Sequence, residues 1–74
     1  MPTIGDYVTF TNSLHQVYGI IKDKYISNEV YYIQELKDIG RDVYTCYRLP
    51  YNLVSPMKQV DILKWLVAGV IPND

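Results

Sequence analysis

The side chains able to do covalent or acid–base chemistry are few and scattered. The 74 residues include one histidine, His15, and one cysteine, Cys46. His15 stands in Leu14-His15-Gln16-Val17, at the junction of a loop and a strand. No serine or cysteine nucleophile motif accompanies it, and a catalytic imidazole needs such a partner within hydrogen-bond reach. Cys46 lies in a strand-like aromatic run, where a free cysteine behaves as a small apolar side chain. Glu35, Asp38 and Asp42 lie in or beside a charged loop. They read as solvated charges, whereas general acid–base work needs a carboxyl buried with a raised pKa. The four glycines, Gly5, Gly19, Gly40 and Gly69, are too dispersed to cradle a phosphate. One His and one Cys also exclude a His/Cys metal centre and a disulfide framework. The expectation is a non-enzyme without catalytic residues, metal or cofactor.

Binding chemistry is better supplied. Eight Tyr, one Phe and one Trp give a short chain large side chains for its core, and Tyr and Arg are also the residues that dominate protein interfaces. The candidate protein-binding residues are Tyr44, Arg48 and Tyr51, around a fourth strand and its exit turn, with Trp65 as a second patch. Trp65 either anchors a partner or is buried where a C-terminal helix covers the sheet. If it is exposed, self-association becomes an expected outcome. The alternative is a nucleic-acid surface: Tyr18, Lys22 and Lys24 share one face if their strand stays regular, and Tyr44 with Arg48 repeats the pattern. The charge balance opposes it. Seven Lys and Arg against eight Asp and Glu give a formal charge of −1, which excludes a domain that lives by bulk positive charge. A protein partner is therefore the favoured expectation.

These residues are positioned by strands. Tyr7-Val8-Thr9-Phe10 alternates, with Val8 and Phe10 inward. Val17 to Tyr25 is a second strand, and Gly19 within its β-branched run implies a bulge or a close backbone approach. Val30 to Leu36 is a third, β-rich on both faces. Lys37 to Asp42 forms a charged loop with Gly40 free to take positive φ. Val43 to Leu49 is the fourth strand, with Val43, Thr45, Tyr47 and Leu49 on one face and Tyr44, Cys46 and Arg48 on the other. Pro50 ends it, and Asn52-Leu53-Val54 suits a turn and a brief closing strand. Ser55-Pro56 reads as N-cap and first helical residue of a helix that ends at Gly69. A last strand at Val60-Asp61-Ile62 is the rival reading. The fold class is mainly β: a small antiparallel barrel of four to five strands over residues 4–55, then a short C-terminal α-helix over 56–69. All of it forms one domain over 1–74.

Two segments resemble Src-homology-3-like small barrels. Ile4-Gly5-Asp6-Tyr7-Val8 is similar to the Gly-Asp-x-Val opening of small bacterial and ribosome-associated barrels of this type. Leu49-Pro50-Tyr51-Asn52-Leu53-Val54 resembles the apolar-Pro-Ser-Asn-Tyr-Val segment that forms a 3₁₀ turn before the last strand of the signalling domains. Pro50, Asn52 and Val54 match, while Tyr51 replaces Ser and Leu53 replaces Tyr. The resemblance implies the fold over about residues 4–55. It does not imply polyproline binding, because the groove Tyr is absent and the only Trp, Trp65, lies beyond the barrel region.

Met1-Pro2-Thr3-Ile4-Gly5 lacks a basic start followed by an apolar run, so no leader peptide is expected. Ile62 to Ile71 is too short to span a bilayer, so no membrane partner is expected. A lone cysteine makes the reducing cytoplasm the default location. The expected function is a non-catalytic adaptor, assembly subunit or inhibitor, the last being of the kind that small stand-alone genes of phages and bacteria often encode.

Overall fold

The computed structural model describes residues 2–72. Five antiparallel strands form one sheet in the order β4-β3-β2-β1-β5. They are β1 (Tyr7–Asn12), β2 (His15–Tyr25), β3 (Val30–Glu35), β4 (Cys46–Pro50) and β5 (Ser55–Pro56), and the helix α1 (Gln59–Val67) follows. Short 3₁₀ turns at Leu36–Asp38 and Tyr51–Leu53 flank β4.

Alternation along the strands divides the apolar residues between two cores. Val8, Phe10, Val17, Ile21, Tyr31, Ile33 and Val54 are buried on the inner face, with Tyr47, Leu49 and Tyr51 packed against them. The sheet is strongly curled around this cluster. Phe10 of β1 and Tyr47 of β4 meet edge to face with ring centroids 5.0 Å apart, although β2 and β3 lie between. In a flat sheet three strand spacings would hold those strands about 14 Å apart. The curl stops short of closure: among the described residues β4 and β5 form no ladder, so the sheet is open rather than a closed barrel.

Gly19 marks the tightest place. A Cβ there would collide with the Ile33 Cγ2 methyl and lie 2.8 Å from the Gln34 carbonyl oxygen. Of the two roles expected for Gly19, close approach is the one found. The bulge falls three residues later, where the β2–β3 register slips between Ile21 and Asp23 and leaves Lys22 as the extra residue.

The second core lies on the outer face, where α1 covers the β1–β2 half of the sheet. Leu36, Met57 and Ile71 are buried there, with Tyr7, Tyr18, Ile62, Trp65 and Leu66 against them. The helix begins later than Ser55-Pro56 suggests, because those two residues extend the sheet as β5, opposite Thr9 and Val8. Met57 N–H then donates to the Tyr7 carbonyl at 3.1 Å, and Pro56 sits on an edge strand where its missing N–H costs little. Lys58 is the N-cap and makes no side-chain cap bond. The C-terminus behaves as expected: Gly69 takes φ +80°, its N–H donates to the Leu66 carbonyl at 3.0 Å, and Val70 N–H donates to the Trp65 carbonyl at 3.1 Å. This pair of bonds is a Schellman cap. Val60-Asp61-Ile62 is helical, not a strand.

Candidate functional site

The open half of the outer sheet face holds the strongest binding chemistry, and the bulge at Lys22 creates it. Before the bulge, Tyr18 points outward and Ile21 inward. After it, side-chain parity is reversed, so Asp23 stands opposite Tyr32, Lys24 opposite Tyr31 and Tyr25 opposite Val30. Tyr31 is inward and fully buried, which places Asp23, Tyr25, Val30 and Tyr32 on the outer side. In the β3–β4 ladder Tyr32 faces Arg48, Val30 faces Pro50 and Gln34 faces Cys46. Two cross-strand rows therefore run over the face: Asp23–Tyr32–Arg48 and Tyr25–Val30–Pro50.

Its aromatic centre is pre-organised. The Tyr25 and Tyr32 rings meet edge to face, centroids 5.0 Å apart at 73°, while Tyr25 keeps 43% of its surface exposed. A hydrogen bond from the Tyr25 hydroxyl to Asp23, reinforced by that carboxylate's charge, raises the Tyr25 pKa above its ordinary 10.0. Arg48 is exposed and stands opposite Tyr32 in the ladder, so a planar cation lies next to the aromatic pair.

The residues expected to act together are not brought together. Arg48 is on this face. Tyr44, 40% exposed, precedes β4 instead of lying in it, so strand parity does not ally it with Arg48. Tyr51 faces the other way: its ring stacks on Tyr31 with centroids 4.4 Å apart, and its hydroxyl is buried without a hydrogen-bond partner. Trp65 is half-buried on the sheet-facing side of α1, its ring centroid 6.0 Å from that of Tyr18. The nucleic-acid set is dispersed by the bulge. Tyr18 packs under the helix, Lys22 is the exposed bulge residue, and Lys24 turns to the inner side, its ammonium 5.7 Å from the Tyr51 ring centroid. Tyr25 and Tyr32 were not singled out from sequence, since only the register slip shows that Tyr25 shares a face with Tyr32 and Arg48.

The Lys37–Asp42 loop is also more ordered than a solvated charge run. Asp38 is buried, its carboxylate accepting the Thr45 N–H at 3.3 Å and lying 3.5 Å from the Arg41 guanidinium. Gln34 Nε2 donates to the Asp38 carbonyl at 3.1 Å. Beside it, the Tyr47 hydroxyl donates to Glu35 at 3.0 Å, and burial followed by this bond and charge raises the Tyr47 pKa. The Asp38 carboxylate thus closes the loop on Arg41 and Thr45, the Gln34 amide holds it to β3, and Glu35 joins β3 to β4, which gives these side chains a structural duty. His15 and Cys46 are exposed on β2 and β4.

No protein-family model, curated protein or solved structure matches the chain. Among the described residues no helix is long and apolar enough to cross a membrane.

Proposed function

We propose that this chain is a non-catalytic protein-interaction module of Src-homology-3-like fold, serving as an adaptor, assembly subunit or inhibitor, and that it grips its partner through the outer face of β2, β3 and β4. The observation that carries this reading is the edge-to-face Tyr25–Tyr32 pair beside exposed Arg48, on a part of the sheet that α1 leaves uncovered. Interface energy concentrates in aromatic and Arg side chains whose rotamers are already fixed, because little entropy is lost when they dock. The fold assignment is supported by the strand order and by the 3₁₀ turn at Tyr51–Leu53 ahead of the two-residue closing strand. The dispersal of Tyr18, Lys22 and Lys24 favours a protein partner over a nucleic acid.

The test is affinity capture with immobilised wild-type chain, Arg48→Glu and Tyr32→Ala, each first shown to unfold at an unperturbed or mildly lowered midpoint. A protein retained by the wild type and lost by both variants, with nuclease treatment having no effect, supports the reading. Retention by both variants, or release by nuclease, overturns it.

A further inference from the structure

Strands β4 and β5 are the two edges of the sheet. β5 has two residues and β4 has five, so β4 presents the longer open edge. Its hydrogen-bond parity follows from one bond. Val30 faces Pro50, and the Tyr51 N–H donates to the Glu29 carbonyl at 2.9 Å. In an antiparallel ladder, a bond between the residues flanking a facing pair marks that pair as the non-hydrogen-bonded kind. Tyr31 with Leu49, and Ile33 with Tyr47, are therefore the pairs that exchange bonds. Cys46, Arg48 and Pro50 direct their backbone groups away from β3, and among the described residues these groups make no other backbone bond. All three residues are exposed. An edge of this kind is a template for one more strand.

The side chains along the edge decide the occupant. Antiparallel self-pairing can only match Cys46, Arg48 and Pro50 among themselves, since these alone in β4 carry outward backbone groups. Arg48 then stands opposite Arg48, Cys46 or Pro50 of the other copy. The first opposes like charges, the last removes a donor, and no register supplies a carboxylate. A carboxylate is what the outer side lacks. Arg48 ends the Asp23–Tyr32–Arg48 row, and among the described residues it has no carboxylate within 4.0 Å. On the inner side, Tyr47 and Leu49 are half-buried at the margin of the core, so apolar residues set opposite them would leave water. We infer that the free edge of β4 takes up an extended segment of a partner protein as an added strand, with Asp or Glu opposite Arg48 and apolar residues opposite Tyr47 and Leu49. The inference rests on the protein-binding reading above and names the shape and chemistry of the partner segment.

The probe is the peptide Ser-Thr-Val-Glu-Val-Thr-Ser, blocked at both ends, with two twins: one carries Lys in place of Glu, the other a methyl on the Glu backbone nitrogen. Amide NMR of the full chain follows each titration to about 1 mM, because a single short strand binds weakly. In the free chain the Arg48 amide exchanges with solvent faster than those of Tyr47 and Leu49. The Glu peptide is expected to slow Arg48 exchange and to bind about fivefold tighter than the Lys twin. The N-methyl twin cannot donate to the Arg48 carbonyl and binds about tenfold weaker than its parent. Arg48→Glu reverses the charge preference, and a circular dichroism melt confirms that the variant folds. The inference is overturned if no peptide binds, if the Glu and Lys peptides bind equally, if N-methylation changes nothing, or if Arg48 exchange is already slow in the free monomer. A dimer found by sedimentation that protects the Arg48 amide also overturns it, since a second copy is then the occupant. Peptide failure, with a captured protein still lost by Tyr32→Ala and Arg48→Glu, leaves the sheet-face reading standing and removes this one alone.

Discussion

Gly19→Ala adds a single methyl at the point where β2 is pressed against β3, and the fold should resist it. The new Cβ meets the Cγ2 of Ile33 and, 2.8 Å away, the carbonyl oxygen of Gln34. Ile33 is fully buried and β-branched, so its methyl has no alternative rotamer to retreat into. The Gln34 carbonyl belongs to the backbone and moves only if the strand does. Overpacking of this kind costs about 1–3 kcal/mol, and the lower chain entropy of Ala in the unfolded state offsets about 0.4–1 kcal/mol of it. Both contacts lie under 3.0 Å and one is backbone, which puts the cost at the top of its range, so the net expectation is a loss of about 2 kcal/mol, against a total of roughly 4–11 kcal/mol for a chain of this length. Urea unfolding followed by Trp65 fluorescence measures it; with a slope near 1 kcal/mol/M, the midpoint falls by about 2 M. Ile33→Leu moves the side-chain branch one carbon outward and removes the Cγ2 contact but not the carbonyl one. The double variant should therefore recover about 1 kcal/mol relative to the sum of the two single changes. A Gly19→Ala loss under about 0.5 kcal/mol, or strict additivity with Ile33→Leu, refutes the tight-approach argument.

The β1–β2 turn holds Ser13 at φ +50° and Leu14 at φ +70°, with Leu14 97% exposed; replacing the pair by Asn-Gly should stabilise the chain by about 1–2 kcal/mol in the same urea assay. Burial, with the charges of Tyr51 and Asp6 adding to it, raises the pKa of Tyr31 in the folded chain above its ordinary 10.0. Its contribution to stability is therefore complete below pH 10 and is lost as pH rises through the folded pKa. Thermal midpoints should hold to about pH 10 and then fall, and Tyr31→Phe should make that alkaline decline shallower. Asp38→Ala removes the carboxylate that accepts the Thr45 N–H and pairs with Arg41; it should cost about 1–3 kcal/mol and speed tryptic cleavage at Arg41, while Asp38→Asn, which keeps an acceptor, costs less.

Inner-face residues were legible because burial obeys strand alternation: Val8 and Phe10 in β1, and Tyr47 and Leu49 in β4, point where period two puts them. The Gly69 cap was legible because its signal is local. Ser55-Pro56 is the opposite case. Its helix-start chemistry is genuine, but β1 has an open edge that pairing at Thr9 and Val8 satisfies, and that long-range demand prevails. Asp38 was misread as solvated because its partners, Thr45 and Arg41, are supplied by loop closure rather than by neighbours on a strand. The start of β4 was misplaced for the same reason: Val43 to Thr45 have strand-like residue types, yet the ladder to β3 begins only at Cys46. Among the expected binding residues, Arg48 shares the open face with Tyr25 and Tyr32, whereas Tyr51 packs on Tyr31 and Trp65 on the second core.

The single extra residue at Lys22 governs what the open face can bind. In a regular β2, Lys24 would stand outside with Lys22 and Tyr18, and Tyr25 would turn toward the inner core. That arrangement would give a cationic, aromatic stripe suited to a phosphate backbone. With the bulge in place, Lys24 is drawn inward to the Tyr51 ring, and Tyr25 is delivered to the outer face against Tyr32. The outer face thereby exchanges a lysine for a tyrosine and keeps Arg48 as the cation of its rows. Phosphate binding scales with the number of cations presented, whereas protein hot spots depend on rigid aromatic area with a few directed polar groups. On the proposed reading, the bulge thus shifts the face from the first kind of surface toward the second, without any change in composition.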